Sequence, residues 1–264
     1  MATSGFEVVA EIEPATRPDL TRVRHQVGVL APIADRFLIP DNHLGRATVS
    51  SVAVAHEVAR MGVEAIACLN SRDRNRLGFR RDLLTAAVYG VDRILCVYGD
   101  QPASGDRSSD LNVAGMLDEV REFGGSESFS GHGPFTVGVT TRLSALPAWK
   151  HQADFLFAQA SFDLEALLRW RDSLRFDGPL FAGVLVVASV GMAKTLSDAT
   201  GQIDVPTSLL ERLETDPHAG VDVACSLMED IKASGAFDGV HLVPVGRYRA
   251  VASRLENSRW STRG

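Results

Sequence analysis

The chain is short of everything that would tie it to a membrane, an oxidising compartment or a nucleic acid. Its three cysteines, Cys68, Cys96 and Cys225, are odd in number and form no Cys-x-x-Cys pair. Neither a disulfide scaffold nor a zinc ribbon is encoded, and unpaired thiols fit a reducing, cytoplasmic setting. No apolar run approaches the ~20 residues of a membrane-spanning helix, and the N-terminus lacks the basic and apolar segments of a secretory signal. Positive charge is also scarce, with 27 Lys and Arg against 33 Asp and Glu, a net charge of -6. Binding a phosphate backbone needs clustered cations, so no nucleic-acid partner is expected. The arginine-rich run from Arg72 to Arg81 is diluted by Asp73 and Asp82 and reads as a solvated helix face.

Several motifs are absent too. Without Gly-x-Gly-x-x-Gly or Gly-x-Ser-x-Gly, the sequence offers no standard dinucleotide fold and no serine-hydrolase elbow. His56-Glu57 begins like a zinc-protease motif, but Arg60 stands where the second histidine belongs. The seven histidines show no ligand spacing, so no metal is expected. Gly191 to Thr195 echoes a phosphate loop but lacks the glycine before Lys194.

What is present is an ordinary globular composition, 45% hydrophobic and 23% charged. Apolar runs at 6–13, 36–40, 63–69, 92–98, 135–140, 154–160, 181–187 and 239–244 read as strands. Most show no alternation, as expected of parallel strands covered on both faces. Amphipathic stretches separate them. Leu20, Val23, Val27 and Leu30 follow Thr16 as N-cap, with Pro18 in the first turn; Leu164, Leu167 and Leu168 follow Asp163, another N-cap. About eight strand–helix units predict an α/β protein, a single (β/α)8 TIM barrel over residues 1–264. An open doubly wound sheet normally has a glycine-rich first turn, and here that turn is Pro14-Ala15-Thr16.

In such a barrel, chemistry sits at the carboxyl ends of the strands. Those ends carry Glu11 and Glu13, then Asp41, Asn42 and His43, then Asn70, Tyr98 to Pro102, Gln159 and Arg247. The set suits a neutral, hydrogen-bonding organic substrate. The segment Gly99 to Asp110 belongs to the same face, and Gly124 to Pro134 to the opposite one. Glu11 is the most unusual member. Val9, Glu11 and Glu13 share one face of the first strand. On an exposed edge strand these carboxylates are merely solvated. A carboxyl group enclosed in an apolar interior holds its proton to higher pH and can act as a general acid. The barrel reading favours the interior.

Three stretches in order resemble the methylenetetrahydrofolate reductase family: Ala10-Glu11-Ile12-Glu13-Pro14, Tyr98-Gly99-Asp100-Gln101-Pro102 and Phe157-Ala158-Gln159-Ala160-Ser161-Phe162-Asp163. The later stretch Ala182 to Val187, followed by Ala193-Lys194 and Asp204-Val205-Pro206, resembles it as well. The resemblance implies reduction of 5,10-methylenetetrahydrofolate to 5-methyltetrahydrofolate, a step of one-carbon metabolism that serves methionine biosynthesis. It also implies Glu11 as the acid that protonates N10 and Asp100 as the group that binds the pterin and stabilises the cation. Gln159 and Arg247 correspond to folate-binding positions.

The flavin side departs from the family. Pro40-Asp41-Asn42-His43 replaces a Thr-Tyr segment, Cys68 replaces a histidine, and Tyr98 replaces an arginine. The segment after Val139-Thr140-Thr141-Arg142 is shorter than its family counterpart. With four flavin-contacting regions altered, the expectation is that NADH or NADPH passes its hydride directly, without tightly bound FAD. Asn42, Asn70 and Tyr98 are the candidate cofactor-binding residues. The alternatives are the same reduction through bound FAD or a reduced deazaflavin, and a catalytically silent pterin-binding barrel. The oligomeric state is left open.

Overall fold

The computed structural model describes residues 5–101, 103–200 and 203–257. Eight strands run in parallel: β1 (Glu7–Glu11), β2 (Arg36–Ile39), β3 (Glu64–Asn70), β4 (Arg93–Val97), β5 (Thr136–Thr141), β6 (Phe155–Ala160), β7 (Leu180–Leu185) and β8 (Gly239–Val243). They pair in sequence order, and β8 closes on β1 with Val9 opposite His241. This is the expected TIM barrel, each strand ending within two residues of its expected bounds. Among the described residues, no helix is long and apolar enough to cross a membrane.

The strands lack alternation because both of their faces are buried. Val8, Ala10, Ile12, Phe37 and Ile39 point outward onto helix residues such as Val23, Val27 and Leu30. Val9, Leu38, Ile66, Cys68, Leu95, Phe155, Phe157 and Phe181 fill the interior. Each fully buried side chain of this kind contributes roughly 1.5–3 kcal/mol. At the amino ends, an aspartate stands one residue before β2, β6 and β8. Asp35, Asp154 and Asp238 accept the N–H groups of Val8, Val137 and Leu180 on the preceding strands, at 2.8, 2.7 and 2.8 Å. Backbone donors at the strand starts thereby find partners.

The covering helices are α1 (Thr21–Leu30), α2 (Ser51–Arg60), α3 (Arg76–Val88), α4 (Val113–Gly124), α5 (Leu164–Ser173), α6 (Val190–Thr200), α7 (Thr207–Thr215), α8 (Ala219–Ser234) and α9 (Tyr248–Asn257). The β5–β6 connection holds only a short 3-10 turn, Ala148–Gln152. That is the segment expected to be shorter than in the family.

Two local expectations are corrected. The first helix begins at Thr21 rather than after Thr16, because Pro18 disfavours helical geometry at Arg17. Asp19, not Thr16, accepts the Thr21 N–H at 2.9 Å and its hydroxyl at 2.7 Å. Asp163 does cap α5, accepting from Ala166 N at 3.0 Å. The run from Arg72 to Arg81 is a solvated face only in part, at Arg76 and Arg81. Arg72 is buried, Arg74 pairs with Asp41 and Asp82, and Arg76 and Arg80 both reach Glu119.

One irregularity lies at the carboxyl end. Phe157 pairs with Phe181, yet Ala160 pairs with Gly183, so β6 carries one extra residue. This β-bulge lets three consecutive residues, Ala158, Gln159 and Ala160, line one cavity, which a regular period of two forbids. Gly183 permits it: a Cβ there would lie 2.5 Å from the Ala158 carbonyl oxygen and 2.7 Å from the Ala160 nitrogen. Gly183→Ala should therefore lower stability by about 1–3 kcal/mol. An unchanged midpoint in denaturant unfolding would contradict this account.

Candidate active site

The carboxyl-end mouth holds a cavity of about 670 Å³, within the range of small-molecule sites. Its floor is aromatic. The Phe157 ring meets Phe155 and Phe181 at centroid distances of 5.4 and 5.2 Å, and His241 stacks on it at 4.8 Å with the planes 15° apart. Gly138 leaves room for this floor, since a Cβ there would lie 2.1 Å from the Phe155 ring.

Glu11 stands above the floor with its side chain 18% exposed. Its Oε2 lies 3.3 Å from His241 Nε2. That nitrogen is enclosed and out of line for a hydrogen bond. Glu11 also lines a second cavity of about 330 Å³, with Glu13, Arg22, His43 and Val245. The carboxyl group thus separates two chambers. Glu13 turns away to pair with Arg22, while buried Gln26 accepts the Glu13 N–H at 2.9 Å and anchors the chain leaving β1.

The rim is built from interlocked loops. Asp100 lines the main cavity and accepts the Leu44 N–H at 2.7 Å. Gly45, at φ +67°, packs so close to Gln101 that a Cβ would meet its carbonyl oxygen at 1.8 Å, and Ala103 N donates to Gly45 O at 2.8 Å. Gly99, at φ +91°, faces the Asn70 side chain. These contacts fix the turn that presents Asp100. Pro102 lies outside the described residues.

Of the residues expected from sequence, Glu11, Asp41, His43, Tyr98, Asp100 and Gln159 line the main cavity. Asn42, Asn70 and Arg247 are placed elsewhere. The fully buried Asn70 amide donates to Asp41 at 2.7 Å and to Asp73 at 2.9 Å, and its oxygen accepts the Asp73 N–H at 2.9 Å. Asn42 sits at φ 47° and donates to Asp73 at 2.9 Å. Arg74 completes this network through Asp41 and Asp82. Burial pulls its guanidinium toward neutrality, but the two carboxylates outweigh that and hold its pKa above the ordinary arginine value. Arg247 donates to the Ala188 carbonyl at 2.9 Å, tying the loops after β7 and β8.

The structure adds residues that sequence reading passed over. His241 occupies an inward position of β8, and the signal was its place between Gly239 and Val243 at a period of two. Arg142 and Lys150 bring positive charge to the cavity wall. Lys150 donates to Thr140 O at 2.8 Å, and burial, followed by the nearby Arg142 charge, lowers its pKa. Cys68 also faces the cavity; burial, then the charges of Asp41 and Glu11, pushes its thiol well above the ordinary range. Among the described residues, no three His, Cys, Asp or Glu side chains are grouped to hold a metal.

Residues 143–259 match the family model of methylenetetrahydrofolate reductase. The matched segment contains Gln159, His241 and Arg247, whereas Glu11 and Asp100 precede it. Among solved structures, an uncharacterized protein from Clostridium thermocellum that binds two copies of 5-methyl-5,6,7,8-tetrahydrofolic acid is 14% identical, with a TM-score of 0.62 over 97% of this chain and 96% of that one. The apo form of MsnO8 is 14% identical, with a TM-score of 0.57 over 95% and 98% of the two chains. The 7,8-dihydropteroate synthase from Vibrio fischeri is 11% identical, with a TM-score of 0.53 over 96% and 92%. At these identities the likeness establishes the fold alone. No protein of curated function matches the chain in sequence.

The three cysteines are buried and free, and burial pushes the Cys96 and Cys225 thiols up to about 12. A thiol raised in the folded state supports the fold below its unfolded pKa, about 8.5, and that support is lost as pH rises toward the folded value. Folded protein at about pH 8 should keep Cys96 and Cys225 unlabelled by a thiol-specific disulfide reagent, and denatured protein should react at all three cysteines. Rapid labelling of Cys96 or Cys225 in the native protein would refute the burial argument.

Proposed function

We propose that this chain, matched to the methylenetetrahydrofolate reductase family from β6 through α9, reduces 5,10-methylenetetrahydrofolate to 5-methyltetrahydrofolate with NADH or NADPH as direct hydride donor. The observation that carries the reading is the enclosed Glu11 carboxyl group on the wall of a cavity that also presents Asp100 and Gln159. The aromatic floor offers a flat apolar surface to a pterin or nicotinamide ring, and Gln159 offers an amide to the pterin edge.

Glu11, as the carboxylic acid, gives its proton to N10. The bond between N10 and the methylene carbon breaks, its electron pair stays on N10, and the N5 lone pair forms the 5-iminium double bond. Asp100 stabilises this cation electrostatically. Hydride then leaves C4 of the dihydronicotinamide with its electron pair and adds to the methylene carbon, giving the N5-methyl group and oxidised nicotinamide. The Glu11 carboxylate recovers a proton from water, to which its second chamber gives access.

Two features support a direct donor over tightly held FAD. The β5–β6 connection is reduced to a 3-10 turn, and a buried thiol, Cys68, stands where the resembling family has a histidine. Purified protein should lack a flavin band and oxidise NADH or NADPH only when methylenetetrahydrofolate is supplied. Stoichiometric flavin retained through dialysis would overturn the direct-donor reading; turnover with a reduced deazaflavin alone would reassign the donor. Folate affinity without turnover from any donor would mark a silent pterin-binding barrel. Glu11→Gln should lower kcat by about 10²-fold or more while folate binding persists, and near-normal turnover would remove Glu11 from the mechanism.

A further inference from the structure

Arg72 is a charged side chain with only 8% of its surface exposed, and its Nε and Nη1 atoms have no hydrogen-bond partner among the described residues. Neither Arg72 nor Arg107 forms an ion pair among the described residues. Both converge on Tyr98. The Arg72 guanidinium carbon lies 4.6 Å from the centre of the Tyr98 ring, and Arg107 Nη1 donates to the Tyr98 hydroxyl at 2.6 Å. The Arg72 side chain beside its hydroxyl, and then the charges of Arg107 and Arg72, hold the Tyr98 phenol below its ordinary pKa. Three carboxylates of these loops are engaged elsewhere: Asp73 with Asn42 and Asn70, Asp100 with Leu44 N, and Asp110 with Arg76 N.

A buried guanidinium without a carboxylate is costly, and a cation–π contact offsets only part of that cost. Two like charges on one neutral phenol add repulsion. An oxyanion would relieve both terms, because the guanidinium fork matches the paired oxygens of phosphate or carboxylate. Tyr98, 47% exposed, lines the main cavity beside Asp100 and is the accessible member of the group, with Arg72 buried against its ring. The loop that carries Arg107 is fastened to Arg72, with Ser108 N donating to Arg72 O at 2.6 Å.

We propose that Arg72, Arg107 and Tyr98 form an oxyanion subsite on the rim of the cavity, in which the two guanidinium groups grip terminal oxygens of a ligand and the Tyr98 hydroxyl holds their place until it binds. The identity of the ligand rests on the proposed function: the oxyanion is either a phosphate of the nicotinamide dinucleotide or a carboxylate of the folate glutamate. The subsite itself does not depend on turnover.

Calorimetric titration of the whole protein with pyrophosphate and with glutarate tests the subsite without any redox step. At least one probe should bind, and Arg107→Ala, an exposed change, should weaken it about tenfold or more, the share of one charge-assisted hydrogen bond. Arg72→Lys keeps the charge but loses the fork, and should weaken the same probe. If Arg72→Lys fails to fold, Arg107→Ala decides alone. Titrations with NADH and with pteroylglutamate against pteroate then identify the source. A loss in Arg107→Ala confined to NADH assigns the phosphate, and a loss confined to pteroylglutamate assigns the carboxylate. Equal affinities of wild type and Arg107→Ala for both probes would overturn the subsite, even in an active reductase. Weakened probe binding in a protein without reductase activity would leave the subsite standing and remove the proposed reaction.

Discussion

Closure of β1 on β8 is the constraint from which the site follows. An open sheet would leave β1 as an edge, with Glu11 in water and its backbone unpaired on one side. Closure gives β1 a neighbour on both sides and turns Val9 and Glu11 inward with His241. The Phe155, Phe157 and Phe181 rings then fill the barrel beneath them, so the carboxyl group rests on apolar packing and opens only toward the mouth. The acid is held by the topology more than by any one hydrogen bond.

The mouth is organised by polar groups that do not touch the main cavity. Asn70, Asp73, Arg74 and Asp82 consume one another's hydrogen-bonding capacity around Asp41. The loops after β2 and β4 meet across the end of β3 through Gly45, Leu44 and Asp100. Such a network is rigid when every member is satisfied. It presents Asp100 from a turn that has little freedom of its own, which suits electrostatic stabilisation by a fixed charge.

Much of this was legible in the sequence because parallel barrels write their strands as unbroken apolar runs. A polar residue at the end of such a run, as with Glu11, Gln159 or Asp100, is then conspicuous. His241 was not conspicuous: a lone histidine between Val240 and Leu242 reads as core, and only the neighbouring strand reveals what it faces. Asn42 and Asn70 had the right chemistry and position, but their amides are spent on Asp41 and Asp73. The arginine run misled for a related reason. Local composition suggested a solvated helix face, while Arg74 reaches back to Asp41 and Arg80 across to Glu119, and Arg72 pairs with no carboxylate among the described residues. Tertiary pairing of charges is not encoded in local order.

The bulge in β6 stores the direction of Gln159 in a count of residues and not in the identity of any of them. Because one step along a strand exchanges its two faces, deleting a single residue between Phe157 and Ala160 would turn the Gln159 amide out of the mouth. Point substitutions leave that count untouched. With Gly183 kept on the facing strand, the β6 wall of the site can therefore explore side chains while its orientation is kept, and within β6 that orientation is exposed to insertions and deletions, the rarer class of change.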